Sequence, residues 1–178
     1  MKYSTLIFMI LFLLGCGAPK KEEVKPSRNI LVSILPQKTF VEKIAGDDFK
    51  VNVLIPPGTS PAAYSLTPSQ LAEIAGSPLW FRIGYIGFEL SWKDKIAEIN
   101  PKMKIVDLSE GLNLIQTQTN NGETLKTGTD PHIWLSPALV KEMAAKILKE
   151  LSDLNPDQSV KYKTNYLEFV KEIDELDI

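Results

Sequence analysis

The stretch Asp130-Pro131-His132-Ile133-Trp134-Leu135-Ser136-Pro137 contains the single histidine of this 178-residue chain. Ser136 is a favourable N-cap and Pro137 suits the first position of a helix, so the pattern predicts that a helix begins here. His132 would then lie in a short loop that two prolines make stiff. A histidine held in this way can serve as a metal ligand or a base, or it can be a buried residue with a structural role.

Short segments of strand-like composition alternate with segments of helical periodicity around this stretch. Four strands are predicted, at 29–35, 49–55, 79–83 and 104–108. Helices are predicted at 37–45, 68–75, 89–99 and 137–151, and from Pro156 onward. Two of them are expected to begin with a capping box, formed by Thr67 with Gln70 and by Asn155 with Gln158. This alternation predicts an α/β fold, a four-stranded parallel sheet flanked by helices, in the flavodoxin-like strand order.

In such sheets ligands bind beyond the carboxyl ends of the strands. The loops expected at that edge are 56–66, 84–88 and the loop that ends at His132. We therefore expect His132 on the functional edge of the sheet. Residues 113–130 are polar and rich in Thr, Asn and Gly, and we expect them to form an exposed loop.

Residues 1–15 have the pattern of a lipoprotein signal peptide, with an apolar run too short to span a bilayer, which takes about 20 residues. Leu13-Leu14-Gly15-Cys16 has the form of a bacterial lipobox, which predicts lipidation of Cys16 after cleavage. The alternative is an ordinary signal peptide with an incidental cysteine. Residues 16–28 are predicted to be a flexible tether, so acyl chains on Cys16 would anchor an extracytoplasmic domain to the membrane.

Composition and motifs exclude several classes of function. The formal net charge is −2 and no basic run follows the tether, so a nucleic-acid partner is not expected. A single cysteine allows no internal disulfide. The chain has no Gly-x-Ser-x-Gly, Walker A or Gly-x-Gly-x-x-Gly motif, and no serine lies in a nucleophile elbow. We therefore do not expect an enzyme.

Metal binding is the chemistry that His132 supports best. Zinc takes three or four ligands from histidine, cysteine and carboxylate side chains, and His132 supplies one imidazole. Glu89 and Asp130 are possible carboxylate ligands, although each is by default a solvated charge or a helix cap. Tyr64 could contribute weakly but is more simply a packed aromatic side chain. With Cys16 assigned to lipid, the site would rely on carboxylates or be incomplete.

Four segments together resemble the substrate-binding lipoproteins of bacterial zinc and manganese ABC importers. They are the Pro-Pro-Gly and Pro-x-x-Tyr stretch within 54–69, the stretch 84–89, Ile105-Val-Asp-Leu-Ser109 and Asp130–Pro137. The resemblance covers residue 29 to the end. It implies a receptor of two α/β lobes joined by a long helix, with a zinc or manganese ion bound between the lobes and delivered to an ABC transporter permease.

Applied residue by residue, the resemblance implies one metal ligand, His132, because Ala62 stands where the family has its first histidine. It implies that 29–155 is the N-terminal lobe and 156–178 the start of the joining helix, with a second lobe absent or separately encoded. Two interpretations remain open. The chain is either a metal receptor reduced to its first lobe, or a surface lipoprotein that retained the fold and binds a partner protein.

The last predicted helix bears on this choice. Its apolar residues recur at spacings of three and four: Tyr162, Tyr166, Phe169, Ile173 and Leu176. The stripe is either packed on the domain, as in an ordinary final helix, or exposed and available for self-association.

Overall fold

Residues 28–60, 64–118 and 124–176 are described in the computed structural model. Four parallel strands form the central sheet in the order β2-β1-β3-β4: β1 (Asn29–Val32), β2 (Lys50–Val53), β3 (Leu79–Arg82) and β4 (Lys104–Asp107). The predicted parallel sheet and its flavodoxin-like order are confirmed. Both central strands are buried, as expected where helices cover both faces of a sheet.

Five α-helices accompany the sheet in the described residues: α1 (Leu35–Ala45), α2 (Pro68–Gly76), α3 (Gly87–Ile99), α4 (Pro137–Leu154) and α5 (Ser159–Leu176). The Thr67 backbone N–H donates to Gln70, and the Gln70 N–H donates to the Thr67 hydroxyl, so the predicted capping box opens α2. Ser136 caps α4 by accepting the backbone N–H of Leu139 at 3.4 Å. Among the residues described, no helix is both long and apolar enough to span a bilayer.

The first strand is shorter than predicted, because β1 ends at Val32 and α1 begins at Leu35. The side chain of Gln37 explains the early start of the helix. Its Oε1 accepts the backbone N–H groups of Ser33 and Ile34, at 2.9 and 3.1 Å, while its Nε2 donates to the carbonyl of Phe81. A side chain therefore satisfies the backbone where the strand turns into the helix.

The predicted capping box at Asn155 and Gln158 is wrong. Residues Pro156–Gln158 form a 3₁₀ turn in which the Gln158 backbone N–H donates to the carbonyl of Asn155. The helix α5 begins only after this turn, at Ser159. Proline at the start of the turn fixes its first φ angle, so the backbone closes the turn without a side-chain cap.

The prediction of a loop over 113–130 is wrong in part. β5 (Gln116–Gln118) and β6 (Thr124–Thr129) pair as an antiparallel hairpin, with Gln116 opposite Thr129. β-branched threonines favour strands, and Asn121-Gly122 in the sequence is a strong hairpin-turn signal. The hairpin leads directly into the loop that carries His132.

The apolar stripe of α5 is largely packed. Tyr162, Phe169 and Ile173 are buried against α1 and α4, and the Phe169 ring lies 5.8 Å from that of Phe40. Leu176 is the exception, because 83% of it is exposed. The structure therefore favours the packed helix over the exposed stripe. Whether α5 also joins two lobes stays a prediction.

Candidate metal centre

His132 lies between β6 and a 3₁₀ turn (Ile133–Leu135) that leads into α4. Its side chain is 57% exposed, so the ring is accessible from solvent. Pro131 precedes the histidine, and the 3₁₀ turn fixes the backbone that follows it. The histidine therefore lies on a defined backbone, and its position at the ligand-binding edge of the sheet stays a prediction.

Asp130 orients the imidazole. Its Oδ1 accepts the backbone N–H of His132 at 2.9 Å and lies 2.7 Å from the ring Nδ1. A carboxylate can only accept, so Nδ1 carries the proton in the neutral ring and Nε2 keeps a lone pair. The backbone hydrogen bond from His132, and then the one from its ring, hold the pKa of Asp130 below the ordinary value. This is the arrangement in which histidine binds a metal ion through Nε2.

Two further contacts define the surroundings of the ring. Trp134 lies beside it, with ring centroids 5.0 Å apart and planes inclined by 55°. On another side, a small pocket is lined by Asp130, His132 and the apolar residues Leu114, Ile115, Ile133 and Leu139. The backbone N–H of Asp130 donates to the carbonyl of Ile115 at 3.1 Å, so the base of the hairpin holds the aspartate in place.

Glu89, the second candidate carboxylate, is completely buried. Its two oxygens accept the backbone N–H groups of Ile83 at 2.7 Å and Gly84 at 2.6 Å. Burial raises the pKa of Glu89, while hydrogen bonds from the Ser33 hydroxyl and these backbone groups oppose that shift. The alternative that Glu89 is a solvated charge is wrong. Its role as a metal ligand stays a prediction, although both oxygens already have backbone donors.

A charge network surrounds this buried carboxylate, and sequence reasoning missed it. Arg82 Nε lies 3.9 Å from Glu89, and the Arg82 guanidinium donates to Asp107 at 2.9 Å and to the carbonyl of Gly84 at 2.8 Å. Asp107 in turn accepts the N–H and hydroxyl of Ser109. The network joins the ends of β3 and β4. The signal in the sequence was an arginine near the end of one predicted strand, Arg82, and an aspartate near the end of the next, Asp107.

Tyr64 is a packed aromatic residue with one polar contact. Its hydroxyl donates to Gln70 Oε1 at 2.8 Å, and its ring lies 6.0 Å from that of Phe88. Gln70 also donates to the carbonyl of Leu54 at 2.6 Å, which secures the loop between β2 and α2. A contribution of Tyr64 to metal binding stays a prediction.

Of the predicted site residues, the structure brings Asp130 and His132 into direct contact. The described part of the chain contains no cluster of three or more His, Cys, Asp or Glu side chains able to hold a metal ion. Ala62 and Cys16 lie outside the described residues. The described site is thus one oriented imidazole with one supporting carboxylate.

This combination defines a class of protein. A parallel α/β domain that carries an exposed histidine oriented by a carboxylate has the form of one lobe of a solute-binding protein. Residues 30–178 match the family described as zinc-uptake complex component A, periplasmic. The chain belongs to this family. The resemblance identified from the sequence is therefore confirmed.

Individual relatives agree with this assignment. A protein of Chlamydia trachomatis serovar D, provisionally named a metal-binding protein, is 34% identical over 174 residues, which cover 97% of this chain and 59% of that protein. The manganese ABC transporter substrate-binding lipoprotein PsaA of Streptococcus mitis is 28% identical over 183 residues, which cover 97% of this chain and 57% of that protein. A zinc-bound deletion mutant of ZnuA superposes with a TM-score of 0.75 at 39% identity, covering 84% of this chain and 55% of that one.

The chain thus spans between half and three fifths of the length of these relatives. Their family is one of solute-binding receptors and not of enzymes, which confirms the expectation that this chain is not an enzyme. The relatives differ in their metal, since PsaA is named for manganese and the ZnuA structure contains zinc.

Proposed function

We propose that this chain is the N-terminal metal-binding lobe of an extracytoplasmic ABC importer receptor, with a zinc or manganese ion as its cargo. The observation that carries the proposal is the orientation of His132. Asp130 occupies Nδ1 of an accessible imidazole, so Nε2 is the nitrogen available to a metal ion. The membership of the family supports the same function.

The proposal extends to the parts of the receptor that lie outside the described residues. Lipid on Cys16 would hold the domain at the membrane through the tether 16–28, with 29–155 as the lobe and 156–178 as the start of the joining helix. Because the imidazole of His132 leaves three or more coordination positions of the ion free, a second lobe would supply further ligands. The loaded receptor would then deliver its ion to an ABC permease.

Native mass spectrometry of the full chain with zinc and then manganese tests the proposal. We expect one bound ion per chain, with His132→Ala weakening binding at least tenfold while the midpoint of denaturation changes little, because the side chain is exposed. The chain has no other histidine, so the untagged protein gives an unambiguous result. Unchanged binding by the variant would remove His132 from the site and refute the proposal.

A second candidate function is the binding of a partner protein. The observation in its favour is an apolar groove that opens between α1, α4 and α5, where Leu135 and Leu176 are 71% and 83% exposed. If this function applies, Leu176→Asp reduces self-association in light scattering without loss of the fold. Phe169 is unsuitable for that test because it is buried.

A further inference from the structure

Trp134 has contacts in two different parts of the molecule. On one side its indole lies 5.0 Å from the imidazole of His132. On the other side it lines the apolar groove, together with Phe40, Val140, Phe169 and Ile173. We name this the α1/α4/α5 groove. The same side chain is therefore part of the candidate metal centre and part of the packing between three helices.

We propose that Trp134 is a positioning residue for His132, and that packing in the α1/α4/α5 groove sets the metal affinity of the imidazole through it. The proposal rests on the proposed function, because it assumes that His132 binds the ion. It assigns a role to a side chain that touches the ligand but does not coordinate the metal.

The hydrogen bond between Asp130 and His132 is too exposed to hold the imidazole in one orientation by itself. The Asp130–His132 pair is exposed, at 48% and 57%, and a solvent-exposed pair between flexible side chains restrains orientation weakly. The hydrogen bond fixes the direction of Nδ1, but the ring can still rotate about that direction. The half-buried indole lies beside the ring, inclined to it by 55°, and limits this rotation by steric contact.

An oriented ligand binds more tightly because less side-chain freedom is lost when the metal arrives. This effect requires the indole to stay in place. Its place depends on the groove, where the Phe40 and Phe169 rings lie 5.8 Å apart and Val140 and Ile173 are buried.

The test uses the untagged full chain in detergent micelles, with zinc as the probe. Two measurements are made: calorimetric zinc affinity, and the ¹⁵N resonances of the imidazole, which the single histidine makes unambiguous. The variants are Trp134→Leu, Trp134→Phe and Ile173→Ala. Ile74→Ala is the matched control, since Ile74 is equally buried but lies on α2, away from the groove.

We expect Trp134→Leu to weaken zinc binding about fivefold and Trp134→Phe to restore most of it. Ile173→Ala should weaken binding about twofold to threefold although it does not touch the ring. In Trp134→Leu and Ile173→Ala, the separation of the two imidazole ¹⁵N resonances should move towards the value of a freely rotating imidazole. The Ile74→Ala variant should lose similar stability but keep its zinc affinity and its spectrum.

Two results overturn the proposal. One is wild-type affinity and spectrum in Trp134→Leu, and the other is an equal loss of affinity in Ile173→Ala and Ile74→Ala, which would indicate general destabilisation. Either result leaves the proposed function intact if His132→Ala still abolishes zinc binding. If His132→Ala binds zinc normally, the proposed function fails instead, so the two failures are distinguishable.

Discussion

Two carboxylates, Glu89 and Asp130, have opposite surroundings. Glu89, in the first turn of α3, is completely buried and accepts two backbone N–H groups. Asp130, before α4, is 48% exposed and accepts hydrogen bonds from the backbone and ring of His132. Both residues were candidate ligands in the sequence. Burial and hydrogen-bonding partners, rather than residue type, separate them.

The comparison shows how one lobe can divide structural and binding roles. The buried carboxylate joins β3 to α3 and neighbours Arg82, so its interactions stabilise the fold. The exposed carboxylate orients a side chain that faces solvent, so under the proposed function its interactions would affect metal binding and not the fold. Substitution at the first position should therefore change stability, and substitution at the second should change metal affinity.

The largest expected effect is the loss of stability in Glu89→Ala. Removal of the carboxylate leaves two buried N–H groups without their acceptor and removes the charge that lies 3.9 Å from the Arg82 guanidinium, which keeps Asp107; we expect a cost of roughly 3–5 kcal/mol of unfolding free energy. Chemical denaturation followed by circular dichroism measures it. The control is Glu98→Ala, an exposed glutamate on the same helix, expected within about 0.5 kcal/mol of the wild type. Equal losses in the two variants would contradict the comparison.

Asp130→Asn tests the exposed carboxylate through its effect on metal binding. We expect zinc affinity to fall roughly tenfold, because the amide no longer fixes the Nδ1–H tautomer as a carboxylate does. Stability should change little. The control is Asp153→Asn, since Asp153 is also exposed but pairs with Lys149 at the other end of α4. Titration calorimetry at matched pH measures both, and wild-type affinity in Asp130→Asn would show that the carboxylate does not act through His132.

Ala62→His tests whether a second imidazole can strengthen the proposed metal site. The family resemblance places the first histidine ligand at this position, so a second imidazole should raise zinc affinity by about tenfold, which is about 1.4 kcal/mol. Ala63→His, one residue further along, is the control and should have a smaller effect. If the two variants bind equally, the gain reflects an added surface histidine and not a shared site.

The smallest expected effect is a pH dependence at Glu89. Because burial raises its pKa above 4.5, the folded protein keeps this proton at a pH where the unfolded chain has lost it. The contribution of Glu89 to stability therefore decreases as pH rises above 4.5 and through the raised pKa. Denaturation at several pH values should show that Glu89→Gln lowers the free energy of unfolding less at pH 7 than at pH 4. If the loss of unfolding free energy in Glu89→Gln instead grows with pH, the pKa of Glu89 is lowered and not raised in the folded protein.

Much of the fold could be predicted because its signals are local. Thr67 and Gln70 formed the predicted capping box, and Ser136 with Pro137 began α4 where expected. The end of β1 could not be predicted, because it depends on Gln37, whose side chain also reaches the carbonyl of Phe81 on a neighbouring strand. Such a contact joins residues far apart in sequence.

In the candidate site, too, one part could be predicted from the local sequence and another part could not. Asp130 and His132 are two residues apart, so their proximity follows from the sequence, as does the choice of metal binding over catalysis. The role of Trp134 does not follow, because its groove is assembled from α1, α4 and α5. Local spacing gives no information about which helices meet.

The sequence by itself determined the family, the parallel α/β class and the one imidazole available as a ligand, because these follow from residue identity and short-range periodicity. Only the tertiary structure decided that Glu89 is buried under backbone donors, that the stripe of α5 is packed, and that His132 faces solvent. Burial is a property of the assembled layers. The same carboxylate or apolar residue takes a different role according to which element covers it.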